Sequence, residues 1–471
     1  MKKQTKSIKK NSKSSSRFMR WASGGFANPQ SRMIAVIVII MFIGSSTVLF
    51  TRAASPSQTE PETWQRVAMA GRDGCVKSID DLTASEGRAI EFACSTTTPG
   101  GSTGGNQDHD SHASDNCTPG IGRLGTMGPC INRSLIPAAR PGVSTVAFDQ
   151  TTPKRLSPPA VWGGGEGEPG AFRTRCDFSH MNNDDAVLYQ NQPNKAHLHT
   201  YFGNTGTNAS STSASLKNSG NSTCSGGTLN RSAYWIPSMI DTATGRPLAP
   251  NDDRSQYNSD LEIYYKVGYQ GIGYRDIKPF PNGLQMIAGN PANATTAPSP
   301  ARNGSRPVVY YCEGAASNDR TRNREGTNIP VCNSGEVLVM DIDFPQCWDG
   351  VNLRATNGRS HVTYGKWHNL NSGETTPISE DAGCPPSHPV SLPHIEMFVR
   401  WRVPAGTNTS NWRLSSDNYT NGPGGYSGHA DYIFAWEDYA FPTLVTRCYA
   451  AQQDCGYQLG DGREPRWIRF W

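Results

Sequence analysis

The sequence predicts a mainly β fold: an antiparallel β-sandwich or jelly-roll-like domain with long disulfide-tied loops, preceded by one N-terminal transmembrane helix. Three observations predict it. Beyond residue 117 the apolar runs are short and rich in β-branched and aromatic residues, with no long 3.6-residue period. Forty-eight glycines and 33 prolines punctuate the chain into short segments. Twelve cysteines, an even number, all follow an apolar stretch at residues 33–50, as expected of a chain exported to an oxidising compartment.

Residues 1–32 form a basic, Ser-rich tail with nine Lys or Arg and no acid. Met33 to Phe50 then runs 18 residues without a charge, long enough to cross a bilayer core as a helix. The basic flank places the tail in the cytoplasm and the rest of the chain outside. The segment reads as a signal-anchor in the cell membrane; cleavage after it would make the protein secreted instead. Residues 51–62 read as a polar stalk. Residues 63–94 have a helix-like apolar spacing and read as a small disulfide-closed segment. Residues 95–116 are Gly-, Ser- and Thr-rich with almost no apolar content, as in a flexible linker. His109 and His112 fall inside that linker and read as solvated.

Residues 117–471 have the composition of one large extracytoplasmic domain. Within it the runs 261–267, 307–312, 337–342, 394–403 and 431–436 are the expected strands. Neighbouring cysteines suggest the pairs Cys75–Cys94, Cys117–Cys130, Cys312–Cys332, Cys347–Cys384 and Cys448–Cys455, leaving Cys176 with Cys224. The chain carries +4 overall, so without the nine cations of the tail residues 33–471 stand near −5. That balance gives no support for nucleic-acid binding.

A series of short motifs runs through the domain: CDFSHMNNDDAVLY at 176–189, AHLHTYFGN at 196–204, PFPNGLQM at 279–286, FPQCWDG at 344–350, SHVTY at 360–364, CPPSHPV at 384–390 and GHADYIFAWE at 428–437. Taken in order, they resemble the DUF1996 family of secreted bacterial and fungal proteins, over roughly residues 172–440. Two positions depart from the family pattern, at 185–188 and at Ala196, and neither removes a charged or imidazole group. The resemblance implies a domain and a compartment, and no reaction.

His197 and His199 are two apart, and on a strand they share a face. His429 with Asp431 and His394 with Glu396 repeat that spacing. With His180, Asp185 and His361, these residues are the candidates for a polar site where loops and strand ends converge. Tyr201, Trp348, Asp349, Tyr364 and Trp436 are the candidates for holding substrate, with Trp367 a further aromatic. His388 reads as a turn residue bonding backbone. Three functions fit such a set. One is a hydrolase or lyase acting on cell-envelope or extracellular polysaccharide, with its acid and base drawn from Asp185, Asp349, Glu396 and Asp431. Another is a metal-dependent hydrolase with His197 and His199 as ligands, joined by His361 and Asp431. The last is a non-catalytic glycan-binding surface protein. The sequence admits a divalent metal and requires no cofactor. There is no GxSxG motif, and the glycine run at 162–167 lacks the Lys of a phosphate loop.

Overall fold

The computed structural model describes residues 65–69, 72–76, 118–122, 127–149, 170–255, 258–267, 276–289, 307–365, 383–418, 423–451 and 453–469. The basic tail, the apolar run at 33–50, the stalk and the linker at 95–116 lie outside these residues. Among the described residues no helix is long and apolar enough to cross a membrane.

The chain divides into two compact units, residues 1–104 and 105–471. In the first, β1 (Gln65–Met69) pairs antiparallel with β2 (Arg72–Val76), from Gln65 opposite Val76 to Met69 opposite Arg72. This corrects the helical reading for these two runs; residues 77–94 of that segment lie outside the described residues. A two-residue link ending in Gly71 is hairpin chemistry, and it outweighs an apolar spacing counted over a longer window.

The second unit contains β3 (Thr118–Ile121), β4 (Met127–Ile131), β5 (Ala171–Cys176), β6 (Phe178–Asn182), β7 (His199–Gly203), β8 (Ala233–Pro237), β9 (Met239–Asp241), β10 (Arg246–Leu248), β11 (Leu261–Lys266), β12 (Gln285–Gly289), β13 (Val308–Glu313), β14 (Asn323–Gly326), β15 (Val337–Asp343), β16 (Cys347–Trp348), β17 (Val362–Thr363), β18 (Val390–Ser391), β19 (His394–Arg402), β20 (Trp412–Leu414), β21 (His429–Ile433) and β22 (Asp454–Gly456). Its helices are short: α1 (Ser213–Asn218) and α2 (Ala440–Leu444), the latter running into a π-helical turn, Val445–Tyr449. The unit is therefore mainly β, and the five expected runs all overlap strands, the last of them only over residues 431–433.

Two sheets dominate, a seven-stranded one in the order β14-β13-β15-β19-β11-β5-β22 and a five-stranded one in the order β12-β21-β8-β7-β6. All pairings are antiparallel except β22 with β5, which makes the larger sheet mixed. Alternation along the strands sends Phe172, Ile263, Tyr265, Met397 and Trp401 of the larger sheet into one core. Phe202, Tyr234, Met286 and Tyr432 of the smaller sheet enter the same core. The opposite face of the five-stranded sheet is covered as well. Tyr201, Trp235, Ile287 and Ile433 pack there against Ala186 and Val187 from the loop after β6 and Leu216 of α1. Both faces being covered, β7, β8 and β21 are buried at every residue.

Four disulfides follow the pairing expected from sequence neighbours: Cys176–Cys224, Cys312–Cys332, Cys347–Cys384 and Cys448–Cys455. Cys130 is disulfide-bonded too. Cys94 and Cys117 lie outside the described residues.

A candidate metal centre

The covered face of the five-stranded sheet carries the polar site. Register sets it up. Tyr201 of β7 and Asp431 of β21 both lie opposite Trp235 of β8, while His199 lies opposite Pro237 and His429 opposite Gly289. One row across the sheet therefore holds Tyr201, Trp235 and Asp431, and the next holds His199 and His429. Gly289 has a positive φ of 73°, and a Cβ there would lie 2.8 Å from His429 Cα, so only glycine allows this approach.

His197 joins from the segment just before β7. The loop that presents it is closed by its own polar groups. Asn183 and Ala196 exchange bonds, the Ala196 N–H donating to the Asn183 carbonyl and Asn183 Nδ2 to the Ala196 carbonyl. The Asp184 carboxylate accepts the N–H groups of Asn194 and Ala209. The ring centroids of His197 lie 4.3 Å from those of His199 and 5.0 Å from those of His429.

Each of the three imidazoles is oriented by a backbone carbonyl. His199 Nδ1–H donates to Asp184 O at 2.8 Å, and His429 Nδ1–H to Ser427 O at 2.9 Å. His197 bonds the Gly122 carbonyl. A carbonyl only accepts, so the bonded nitrogen carries the hydrogen, and in a neutral ring Nε2 keeps its lone pair. One ring nitrogen of each of the three lies within 4.8 Å of those of the others. Nε2 of His197 and of His199 is buried and makes no hydrogen bond to protein. The Cys312, Cys332 and Glu336 cluster has similar spacing, but its sulfurs are joined in a disulfide.

Further unsatisfied groups surround the trio. Asp431 is fully buried with neither carboxylate oxygen hydrogen-bonded, and Oδ2 lies 3.9 Å from His429 Nε2. Trp235 Nε1 is buried without an acceptor, its ring 6.4 Å from that of His199. Arg359 gives one nitrogen to the Gly289 carbonyl, and its Nη2 is buried without an acceptor. Leaving a buried polar group unpaired costs about 1–3 kcal/mol each, so their concentration at one spot marks a place built for a ligand.

The electrostatics agree. Burial lowers the pKa of His197 and His429 well below the usual imidazole value, and neighbouring imidazoles lower it further. Burial also lowers that of His199, opposed by Asp185 and Asp184. Burial, and then Asp185, hold the Asp431 carboxyl well above its usual range, opposed by Arg359.

These shifts predict acid sensitivity in the metal-free protein. A histidine with a lowered folded pKa stays neutral in the fold, while the unfolded chain takes up a proton near pH 6.5. Its contribution is complete above pH 6.5 and is lost as the pH falls. Asp431, with a raised pKa, acts in the opposite sense and contributes less as the pH rises. Burial also raises the pKa of the Asp260 and Asp341 carboxyls, which act like Asp431, and lowers that of His180 and His361, so five histidines stand against three carboxyls. Stability is expected to fall as the pH drops below about 6.5, by up to about 1.4 kcal/mol per pH unit for each buried histidine, and the melting temperature with it. Thermal melts at constant ionic strength check this, and a flat profile would contradict neutral, buried imidazoles.

The remaining candidates fall in different places. His180 stacks on Tyr201 with both ring nitrogens engaged, by Ser179 Oγ and the Thr207 carbonyl. Asp185 lies beside the site, its Oδ1 accepting the N–H groups of Val187 and Leu188. The Tyr201 hydroxyl donates to the Asp184 carbonyl at 2.5 Å, bracing the acceptor of His199. His361 is not part of the trio: its Nε2 bonds the Gln285 carbonyl, at the far end of β12 from Gly289. Asp349 caps its own turn through Val351 and Asn352, and Trp348 Nε1 donates to the Asn352 carbonyl. Tyr364 donates to the Asp343 carbonyl on the larger sheet. Trp436 is fully buried in the main core, edge-on to Phe172 and Phe441, and holds no surface for a substrate. Glu396 pairs with Lys266 and His394 with Asp343, both on the seven-stranded sheet. His388 bonds the Ser360 carbonyl, as a turn residue does. Trp367 lies outside the described residues. The acids proposed to flank a glycosidic bond are thus dispersed, apart from Asp185 and Asp431.

Trp235, Arg359 and the Gly122 and Ser427 carbonyls escaped the sequence reading. Arg359 adjoins the motif at 360–364, which was the one available signal. Trp235 sits in an apolar run, and only the register reveals its neighbour Asp431.

A family model described as a domain of unknown function, DUF1996, matches residues 185–436. That is just over half of the 471 residues, and the chain belongs to this family. No curated protein and no solved structure shows significant similarity to it.

Proposed function

We propose that this DUF1996 member is an extracytoplasmic metal-dependent hydrolase, membrane-anchored by residues 33–50, acting on envelope or extracellular polysaccharide. His197, His199 and His429 would hold a divalent transition ion. The observation that carries this reading is the convergence of three carbonyl-oriented imidazoles, two of them with a buried, unpartnered Nε2. Second-partner bonding of this kind is how metal-ligating histidines are positioned. Imidazole donors suit zinc, copper, iron or nickel over calcium or magnesium. Ligand bonds of about 2.0–2.1 Å need nitrogens roughly 3.3 Å apart in a tetrahedral site, a spacing inside the 4.8 Å limit within which the three ring nitrogens lie.

A divalent ion held there supplies Lewis acidity and acidifies water in contact with it. Asp431 then has the role of base. A neighbouring cation favours its carboxylate form, and its oxygens are uncommitted within the chain. Trp235 Nε1 and Arg359 Nη2 are buried donors without acceptors beside the trio, and would meet a substrate oxygen where negative charge develops once the nearly closed site opens. The basic tail, apolar run, stalk and linker support the location, and through it the polysaccharide substrate.

Asp431→Asn preserves size and is expected to keep the metal while lowering turnover by about 10²–10⁴-fold. Release of reducing ends from envelope polysaccharide, measured beside metal content, checks this. A specific observation favours a non-catalytic alternative: His199 and His429 are at most 1% exposed and His197 7%, so the site is nearly closed. Polysaccharide retained without product by the wild-type, metal-loaded protein would establish that alternative.

A further inference from the structure

The three imidazoles depend on the carbonyls that hold them, and two of those carbonyls stand in turns closed by a buried carboxylate. For His199 the turn is at Asp184. Its carboxylate accepts the N–H groups of Asn194 and Ala209, while its carbonyl takes His199 Nδ1–H. For His429 the carbonyl belongs to Ser427. The carboxylate is that of Asp417, in the segment leading from β20 towards β21.

Asp417 is 2% exposed. Its Oδ2 accepts the Leu414 N–H and the Gly425 N–H, each at 2.9 Å, and its Oδ1 accepts the Ser427 hydroxyl. One side chain thus joins the last residue of β20, a glycine with a positive φ of 105° and the serine that orients His429. Gly425 is fixed from its other side as well, its carbonyl accepting the Tyr310 hydroxyl and the Gly428 N–H. The serines beside Asp417 extend the arrangement to the other histidines. Ser416 Oγ and Ser427 Oγ lie 2.7 Å apart. Ser415 donates its hydroxyl to the carbonyl of Leu198, the residue between His197 and His199, and its N–H to the Ser238 carbonyl. All four serines are buried. Buried hydroxyls and a buried carboxylate cost free energy unless they are bonded, and here the bonds converge on the backbone that presents all three imidazoles.

We propose that Asp417 is a positioning residue of the histidine site: through Ser427 it fixes the ring of His429 beside those of His197 and His199. Hydrogen bonds to a carboxylate are roughly twice as strong as neutral ones, which suits this group to hold three donors in one arrangement. Asn at this position has the same shape with one acceptor atom fewer. Its amide would turn a donor towards the Ser427 hydroxyl or, flipped, towards two N–H groups. The effect on metal rests on the metal-centre reading above; the orientation of the His429 ring does not.

Two readouts on the full chain test this. In the metal-free protein, two-bond nitrogen–proton NMR spectra report which ring nitrogen of His429 carries the hydrogen. Wild type is expected to show the Nδ1–H form, and Asp417→Asn and Ser427→Ala a mixture with the Nε2–H form. The second readout is titration with zinc in competition with a chromophoric chelator. Asp417→Asn is expected to bind zinc about 10–100-fold more weakly than wild type, the range for losing an outer partner of a metal ligand. Ser427→Ala, which keeps the carbonyl, is expected to lose less. Asp252→Asn is the control for folding, because it removes a fully buried carboxylate paired with Arg254. It is expected to lower the melting temperature and to leave the zinc affinity and the His429 tautomer unchanged. A folded Asp417→Asn with an unchanged tautomer or unchanged zinc affinity would overturn the proposal, as would an equal loss of zinc affinity in Asp252→Asn. A wild type that binds no zinc would end the metal reading, and the tautomer shift would still decide the role of Asp417.

Discussion

His199→Ala is expected to abolish stoichiometric metal binding while the metal-free protein still folds. Losing an outer hydrogen-bonding partner of a metal ligand typically weakens binding about 10–100-fold, and loss of a ligand itself should exceed that. His199 is the central member of the trio, its ring 4.3 Å from His197 and 5.9 Å from His429. Its Nδ1 partner, the Asp184 carbonyl, keeps the Tyr201 hydroxyl when the imidazole is gone, so no buried acceptor is stranded. The thermal signature follows from linkage. At 100 times its dissociation constant, an ion that binds only the folded state adds about 2.7 kcal/mol. Wild type should therefore melt higher with metal than without, and His199→Ala should show no such difference. An equal metal-induced shift in both proteins would remove His199 from the ligand set.

Removing the Cys176–Cys224 bridge is expected to be the most damaging covalent change. The two cysteines are separated by 48 residues. Closing a loop of that length in the unfolded chain corresponds to about 4 kcal/mol in the chain-entropy model. Both positions are buried, and the segment between them contains β6, His197, β7 and α1. The bridge thus limits the unfolded freedom of the very stretch that presents two of the three imidazoles. The Cys176→Ala, Cys224→Ala double variant should unfold at lower urea concentration with a similar slope. A midpoint within error of wild type would mean that residual structure already confines the unfolded loop.

Much of the fold was legible because its signals are local. Short β-branched runs such as LEIYY and VLVMDI mark strands by composition, and cysteines close in sequence pair across single loops. The exception in the described residues, the hairpin at 65–76, turns on a two-residue glycine link that an apolar count ignores. The site was legible in half. His197 and His199 announce themselves by a spacing of two, and His429 with Asp431 repeats it. Their union depends on β8 lying between β7 and β21, a long-range pairing that no local pattern encodes. The same gap grouped His361 with the trio, although it sits at the other end of β12. It also offered Trp436 to the substrate, although the alternation of its segment buries it. Arg359 and Trp235 became visible only when the register was known.

The most direct test of the metal centre is elemental analysis of the full chain, made in an oxidising compartment, without a polyhistidine tag and never exposed to chelator. The geometry of His197, His199 and His429 predicts one equivalent of a transition metal per chain. A protein that carries none, and takes up none of zinc, copper, iron or nickel on dialysis, would contradict it.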